Sequence, residues 1–248
     1  MTTTSSPWAH ALATSVALIA WTWASEASAA VVTSGCASAN QFCTVEELVG
    51  GANMLINDKF FDHWTVDDAS TVAPVDLSRI TVMPLDDQVL NPGLAFLANG
   101  ALITGGFDQI DLDLAFRVSV VGGAPRIVGS SLELTAYEFS AGNAGGLIAV
   151  ASDLLAANGT DILGEQEVFA MLSLDAVLFD SIVYASQAAV LVETNILVTG
   201  DDTLDTVALN SFTQRFSQRA LQVPEPPVAP ILGLALLGLW RRRRHSPR

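Results

Sequence analysis

Residues 108–120 read DQIDLDLAFRVSV. Ile110, Leu112, Leu114, Phe116, Val118 and Val120 fall on one parity, and Gln109, Asp111, Asp113, Arg117 and Ser119 on the other. Successive side chains of a strand point to opposite faces, whereas a helix of this sequence would scatter its apolar residues around the axis. The stretch is therefore a half-buried antiparallel strand with one core face and one wet face. Its apolar face needs a second layer, and the rest of the body supplies further strands. SLELTAY (131–137) sets Leu132, Leu134 and Ala136 against Glu133 and Thr135, and GGAP (122–125) marks the turn between the two segments. RITVM (79–83) and EVFAMLSL (167–174) add candidate strands, and SIVYASQAAVLVETNILV (181–198) holds one bent strand or two.

Turn residues separate these runs: Asn91-Pro92-Gly93, Gly105-Gly106, Gly142-Asn143, Asn158-Gly159 and Gly200-Asp201-Asp202. Short strands at this spacing predict a mainly β chain, an antiparallel β-sandwich of jelly-roll-like type. Helix is expected only in short pieces. TVEELV carries a capping box, with Thr44 as cap, Glu47 three residues on, and Gly50-Gly51 to end it. VASDLLAANG is a candidate second helix.

The ends have a different composition. ALATSVALIAWTWA (11–24) is apolar and SEASAA follows it, so residues 1–29 read as a secretory signal peptide. Ala27-Ser28-Ala29 satisfies the small-x-small rule for cleavage before Ala30, although the first ten residues hold no Lys or Arg. A single exported domain is expected over 30–222, followed by a distinct tail at 223–248.

Charge narrows the partners. Glu26 and Glu225 are the two of 26 acidic residues outside the body, and Arg241, Arg242, Arg243, Arg244 and Arg248 are five of the 11 basic ones. That leaves 24 acids against 6 bases in 30–222, a formal charge of −18. Such a body repels phosphate backbones, so nucleic acid is excluded as a partner, while neutral sugars and divalent cations remain compatible.

Cys36 and Cys43, the two cysteines, are close together near the mature N-terminus. In an exported chain such a pair most often forms a local disulfide. The rivals are lipidation of Cys36 in TSGC, where Thr33 stands in place of an aliphatic residue, and a metal site, which lacks further ligands nearby.

Catalytic signals are sparse. The body has one histidine, His63 in FFDHWTVDD; as a regular strand this would put His63 with Phe61 and Trp64 with Asp62. No G-x-S-x-G, H-E-x-x-H, phosphate-binding or dinucleotide-binding motif is present. Asp111 and Asp113 stand about 7 Å apart on one strand face, a spacing that a solvated outer face explains without catalysis. Calcium is the one cofactor to consider, because Asp67-Asp68, Asp86-Asp87 and Asp201-Asp202 with Asp205 cluster in turn-like segments, yet none matches a calcium-loop pattern. Asn158-Gly159-Thr160 is an N-glycosylation sequon.

The tail VPEPPVAPILGLALLGLWRRRRHSPR has three parts. Val223-Pro224-Glu225-Pro226 is rigid and extended. Val228 to Trp240 is a 13-residue apolar run, about 20 Å as a helix and short for a bilayer. Trp240 suits the membrane interface, and Arg241, Arg242, Arg243 and Arg244 form a positive stop. This order resembles the PEP-CTERM sorting signal of Gram-negative bacteria: a Pro-Glu-Pro motif, a short transmembrane helix with small residues (here Gly233 and Gly238) and a terminal arginine cluster. The resemblance implies export through Sec-type machinery and transient anchoring in the inner membrane. It further implies processing by an exosortase near the motif, and release to the cell surface or the extracellular polysaccharide matrix. The body is also similar to a set of exported β-rich proteins that bear this tail, through Cys43-Thr44 with Glu47-Leu48, Asp58-Lys59-Phe60-Phe61 and SFTQRFSQ (211–218).

These readings lead to an exported, non-enzymatic surface or matrix protein with a structural or adhesive body. The alternative is a carbohydrate- or calcium-binding sandwich module. A secreted hydrolase stands third, since one histidine and no nucleophile motif count against it.

Overall fold

The computed structural model describes residues 31–122, 126–140, 145–172 and 176–219. The expected signal peptide with Ala27, Ala29 and Ala30, the expected turn at Gly142-Asn143, and the tail with its Pro-Glu-Pro sequence, apolar run and arginines lie outside the described residues.

Two antiparallel sheets face each other. The first runs β1 (Val31–Ser34), β3 (Asn53–Ile56), β4 (Lys59–Asp68), β8 (Gln109–Val120), β13 (Ala189–Thr199), β10 (Leu147–Ala156), β11 (Ile162–Met171). The second runs β12 (Phe179–Gln187), β9 (Arg126–Phe139), β14 (Thr206–Arg219), β6 (Gly93–Leu97), β5 (Thr81–Leu85), β2 (Cys43–Thr44), with β7 (Ile103–Gly105) also on β14. The chain changes sheets between β8 and β9 and again between β12 and β13, so 181–198 is two strands in opposite layers.

The alternation of β8 holds: Ile110, Leu112, Leu114, Phe116 and Val118 are buried. Leu132 and Leu134 of β9 face them from the other sheet with Val190, Val192, Ile196 and Val198 of β13 beside them. Six aromatic rings fill the middle. Trp64 stacks on Phe116 with centroids 4.5 Å apart, Phe96 stacks on Phe212 at 4.5 Å, and Phe61 leans on Phe216 at 5.8 Å. Rings from both sheets thus interlock, adding specific contacts to the area they bury.

Two expectations are corrected. VASDLLAANG is not a helix but most of β10, because Val150, Ser152 and Leu154 point inward on a period of two. Ser152 disguised that period; it is buried and pairs with the buried Thr194 hydroxyl at 2.9 Å. The β4 segment is not a regular strand at His63. His63 adopts φ 56° and the register with β8 shifts between Asp62 and Thr65, a β-bulge. The extra residue turns Phe61 and Trp64 both inward and leaves His63 exposed.

Helix α1 (Val45–Val49) forms where the capping box predicts it. The Thr44 side chain accepts from the Glu47 amide, and Glu47 accepts from the Thr44 amide at 2.8 Å. Cys36 and Cys43 are bonded, which leaves Cys36 without a thiol for lipidation or metal binding. Glu47 also accepts from the Ala37 amide at 2.7 Å, so one carboxylate clasps both ends of the disulfide loop. The Thr44 amide, then Ala37, hold the Glu47 carboxyl below its ordinary value of 4.5 despite its partial burial. A depressed folded-state pKa adds stability above 4.5 that is lost as pH falls through the lowered value. Unfolding at neutral pH should show Glu47→Ala about 1–2 kcal/mol less stable, by loss of two amide acceptors. Glu47→Gln should flatten the fall in melting temperature below about pH 4 relative to the parent.

Candidate functional site: the exit end and the loop end of the sandwich

Strand register places both chain exits together. Val31 pairs with Ile56, Ile56 with Lys59, Lys59 with Val120, and Arg219 with Arg126. The first described residue and the last therefore share one end of the sandwich, and the tail leaves from there. β14 is no edge strand; it pairs with β9 on one side and with β6 and β7 on the other.

At this exit end the chain's sole lysine is buried. Lys59 is 0 % exposed, held by Asp58 at 2.7 Å and by the Gln218 side-chain carbonyl. Gln218 completes the knot by donating to Asp58 at 3.1 Å and to the Val89 carbonyl at 3.1 Å. Burial lowers the Lys59 pKa, and Asp58 opposes that loss. Two motifs of the sequence resemblance, Asp58-Lys59-Phe60-Phe61 and SFTQRFSQ, meet in this knot and in the Phe61–Phe216 contact. Their role is to fasten β14 to the opposite sheet.

The remaining candidates take structural duties. Arg117 grips Asp62 with two hydrogen bonds, 2.9 and 2.7 Å, and His63 Nδ1 lies 3.0 Å from the same carboxylate. His63 itself is exposed. Asn195 donates to both Asp111 at 2.7 Å and Asp113 at 2.9 Å, so one side-chain amide bridges the two carboxylates. Asp68 caps its own loop, accepting from Ser70 and Val75 amides. Asp87 pairs with Arg215 at 2.8 Å. Asp205, 4 % exposed, accepts from the Asp201 and Asp202 amides at 2.8 Å each. Among the described residues no three His, Cys, Asp or Glu side chains converge to hold a metal ion. Asn158 of the sequon is engaged in its own turn, accepting from Thr160 and Asp161 amides and donating to Asp161.

The opposite, loop end carries what the sequence reading missed. The β7–β8 and β13–β14 loops are tied by the Gly106 amide on the Asp205 carbonyl at 2.9 Å. They display Phe107 and Leu204, 70 % and 75 % exposed. Beside them opens a cavity of about 280 Å³ between residues 145–147, Met171 and residues 199–201. A large apolar residue inside Gly-Gly-Phe-Asp and Asp-Thr-Leu-Asp turns was the available signal.

No family model matches the chain, and no curated protein matches it. Among solved structures it is similar to TmCBM61 in complex with β-1,4-galactotriose, at 12% identity over 63% of this chain and 88% of that one, TM-score 0.26. The CBM22-1 xylan-binding domain of Xyn10C from Paenibacillus barcinonensis gives 16%, 64%, 88% and 0.25. The family GH12 endoglucanase 3 of Trichoderma harzianum gives 10%, 62%, 98% and 0.22. Likeness at this level carries no argument about ligand or activity. The two-sheet sandwich rests on the strand pairing itself.

The Lys59 knot is open to test. Lys59→Met leaves Asp58 and Gln218 without their cation and should cost about 3 kcal/mol in urea unfolding. Lys59→Met with Asp58→Asn should recover part of that loss, since the unpaired carboxylate is then gone.

Proposed function

We propose that this chain is an exported, non-enzymatic protein of the cell surface or extracellular matrix of a Gram-negative bacterium, delivered through its C-terminal sorting signal. The observation that carries this reading is the order of Val223-Pro224-Glu225-Pro226, a 13-residue apolar run and Arg241 to Arg244 at the chain's end. The body, a jelly-roll-like sandwich, crosses the membrane through the Sec route as an acidic chain, and the arginines stay on the cytoplasmic side. The short helix then holds the protein in the inner membrane until an exosortase cuts near the motif. Arg219, the end of β14, is five residues from Pro224, so the motif is at most about 18 Å of extended chain from the folded body. The enzyme therefore works against the exit end, and the loop end points away from the membrane. Mass spectrometry of the mature protein from its own cells should find the C-terminus near Pro224–Pro226. An intact Arg248 on the surface form would sink the reading.

A second reading gives the loop end a carbohydrate ligand. It is favoured by the exposed Phe107 beside an open cavity that Thr199 and Asp201 help to line, since an aromatic face and a few polar groups suit a neutral sugar in an acidic protein. A glycan array should show binding that Phe107→Ala lowers tenfold or more; a blank array removes this reading and leaves the first untouched.

A further inference from the structure

The exit end holds one feature that neither reading uses. Arg126 and Arg219 stand directly opposite each other on β9 and β14, and both are exposed. Like charges in register repel, and neither arginine has a carboxylate partner among the described residues. In a body of 24 acids and 6 bases, two unpaired arginines side by side are an unusual expenditure of positive charge. Their position is also not neutral. Lys59, Arg117 and Arg215 lie in the same half of the sandwich, but each is matched to Asp58, Asp62 or Asp87. The pair that is left free sits at the residue where the tail departs.

Chain length then fixes what these arginines can meet. Eight residues separate Arg219 from Val228, the start of the apolar run, four of them prolines or their immediate neighbours in the Pro-Glu-Pro-Pro stretch. Nine peptide steps reach at most about 30 Å, and headgroups extend several ångströms out from the hydrocarbon edge. A folded body on so short a tether keeps its exit end at the membrane surface. The −18 body is repelled by anionic lipid, and the pair is the one cationic feature presented in that direction. We infer that Arg126 and Arg219 form a docking point for anionic phospholipid headgroups, which holds the exit end against the bilayer while the tail spans it. Two guanidinium groups on adjacent strands offer bidentate hydrogen bonds to one phosphodiester or two neighbouring ones. The contact orients the body with its loop end outward and presents the Pro-Glu-Pro segment at the membrane surface.

This inference rests on the membrane-spanning reading of the tail, and the experiment separates the two. Full-length chain carrying a bimane label on Val121→Cys, with Cys36–Cys43 oxidised, is reconstituted into vesicles that contain headgroup-nitroxide lipid. Val121 is 51 % exposed and its amide bonds the Asp58 carbonyl, so it reports on the exit end. Flotation reads tail insertion, and bimane quenching reads docking. The expected result is flotation with both phosphatidylglycerol-containing and pure phosphatidylcholine vesicles. Quenching should be several-fold stronger with phosphatidylglycerol, and should be lost in about 0.5 M salt. Arg126→Gln with Arg219→Gln should float normally but quench as in phosphatidylcholine, whereas the double lysine variant keeps much of the difference. Equal quenching with the two lipids, or undiminished quenching in the double glutamine variant, overturns the inference and spares the tail reading. Failure to float with either lipid overturns both.

Discussion

A buried lysine tied to the end of the last strand is the interaction on which the rest of this sandwich depends. Lys59 opens β4 in one sheet, and Gln218 is the next-to-last residue of β14 in the other. Burying an ammonium group is costly unless its protons are matched. Asp58 and Gln218 accept two of the three, and Gln218 also reaches the Val89 carbonyl. A slip of β14 by one residue would withdraw Gln218 and turn Phe212 and Phe216 out of the core, because side chains alternate strictly along a strand. The polar knot thus fixes the register of the strand that lies between β9 and β6. It sets where both sheets meet, and it anchors the segment to which the tail is attached.

The aromatic centre needs the same kind of exactness in β4. A regular strand through FFDHWT would bury either Phe61 or Trp64, not both. The bulge at His63 resolves this, and Trp64 then stacks on Phe116 while Phe61 meets Phe216. His63 is the exposed residue that the bulge displaces, which accounts for a lone histidine without assigning it chemistry. The acidic residues follow the same logic. Asp68, Asp87 and Asp205 hold loop amides or an arginine, so the turns that looked like cation loops are closed by their own carboxylates.

How much of this was legible in the sequence varies with the type of signal. Alternation in β8 and over Leu132–Leu134 of β9 and the capping box of α1 depend on neighbouring residues alone and appear as read; beyond Leu134 a register shift against β14 packs Tyr137 rather than Ala136 on the core. The Cys36–Cys43 pair is similarly local. β10 was misread because Ser152 occupies an inward position, and only Thr194, 42 residues away, explains why a hydroxyl can be there. Lys59 shares the inward parity of Phe61, yet a lysine scores as surface until its partner at Gln218 is known. Phe107 and Leu204 carry no periodic sequence signal because each is a single apolar residue in a polar turn, and only the Gly106–Asp205 contact brings their two loops together.

Local patterns alone set the class of the body, a two-faced β chain with one short capped helix. Alternation and caps are patterns of adjacent residues. Tertiary structure decided which strands share a sheet, which charges are matched, and which end of the sandwich the tail leaves from. Those depend on contacts between residues as much as 160 positions apart, such as Asp58 and Gln218, and register across such distances is set by the fit of the whole core rather than by any local run of residues.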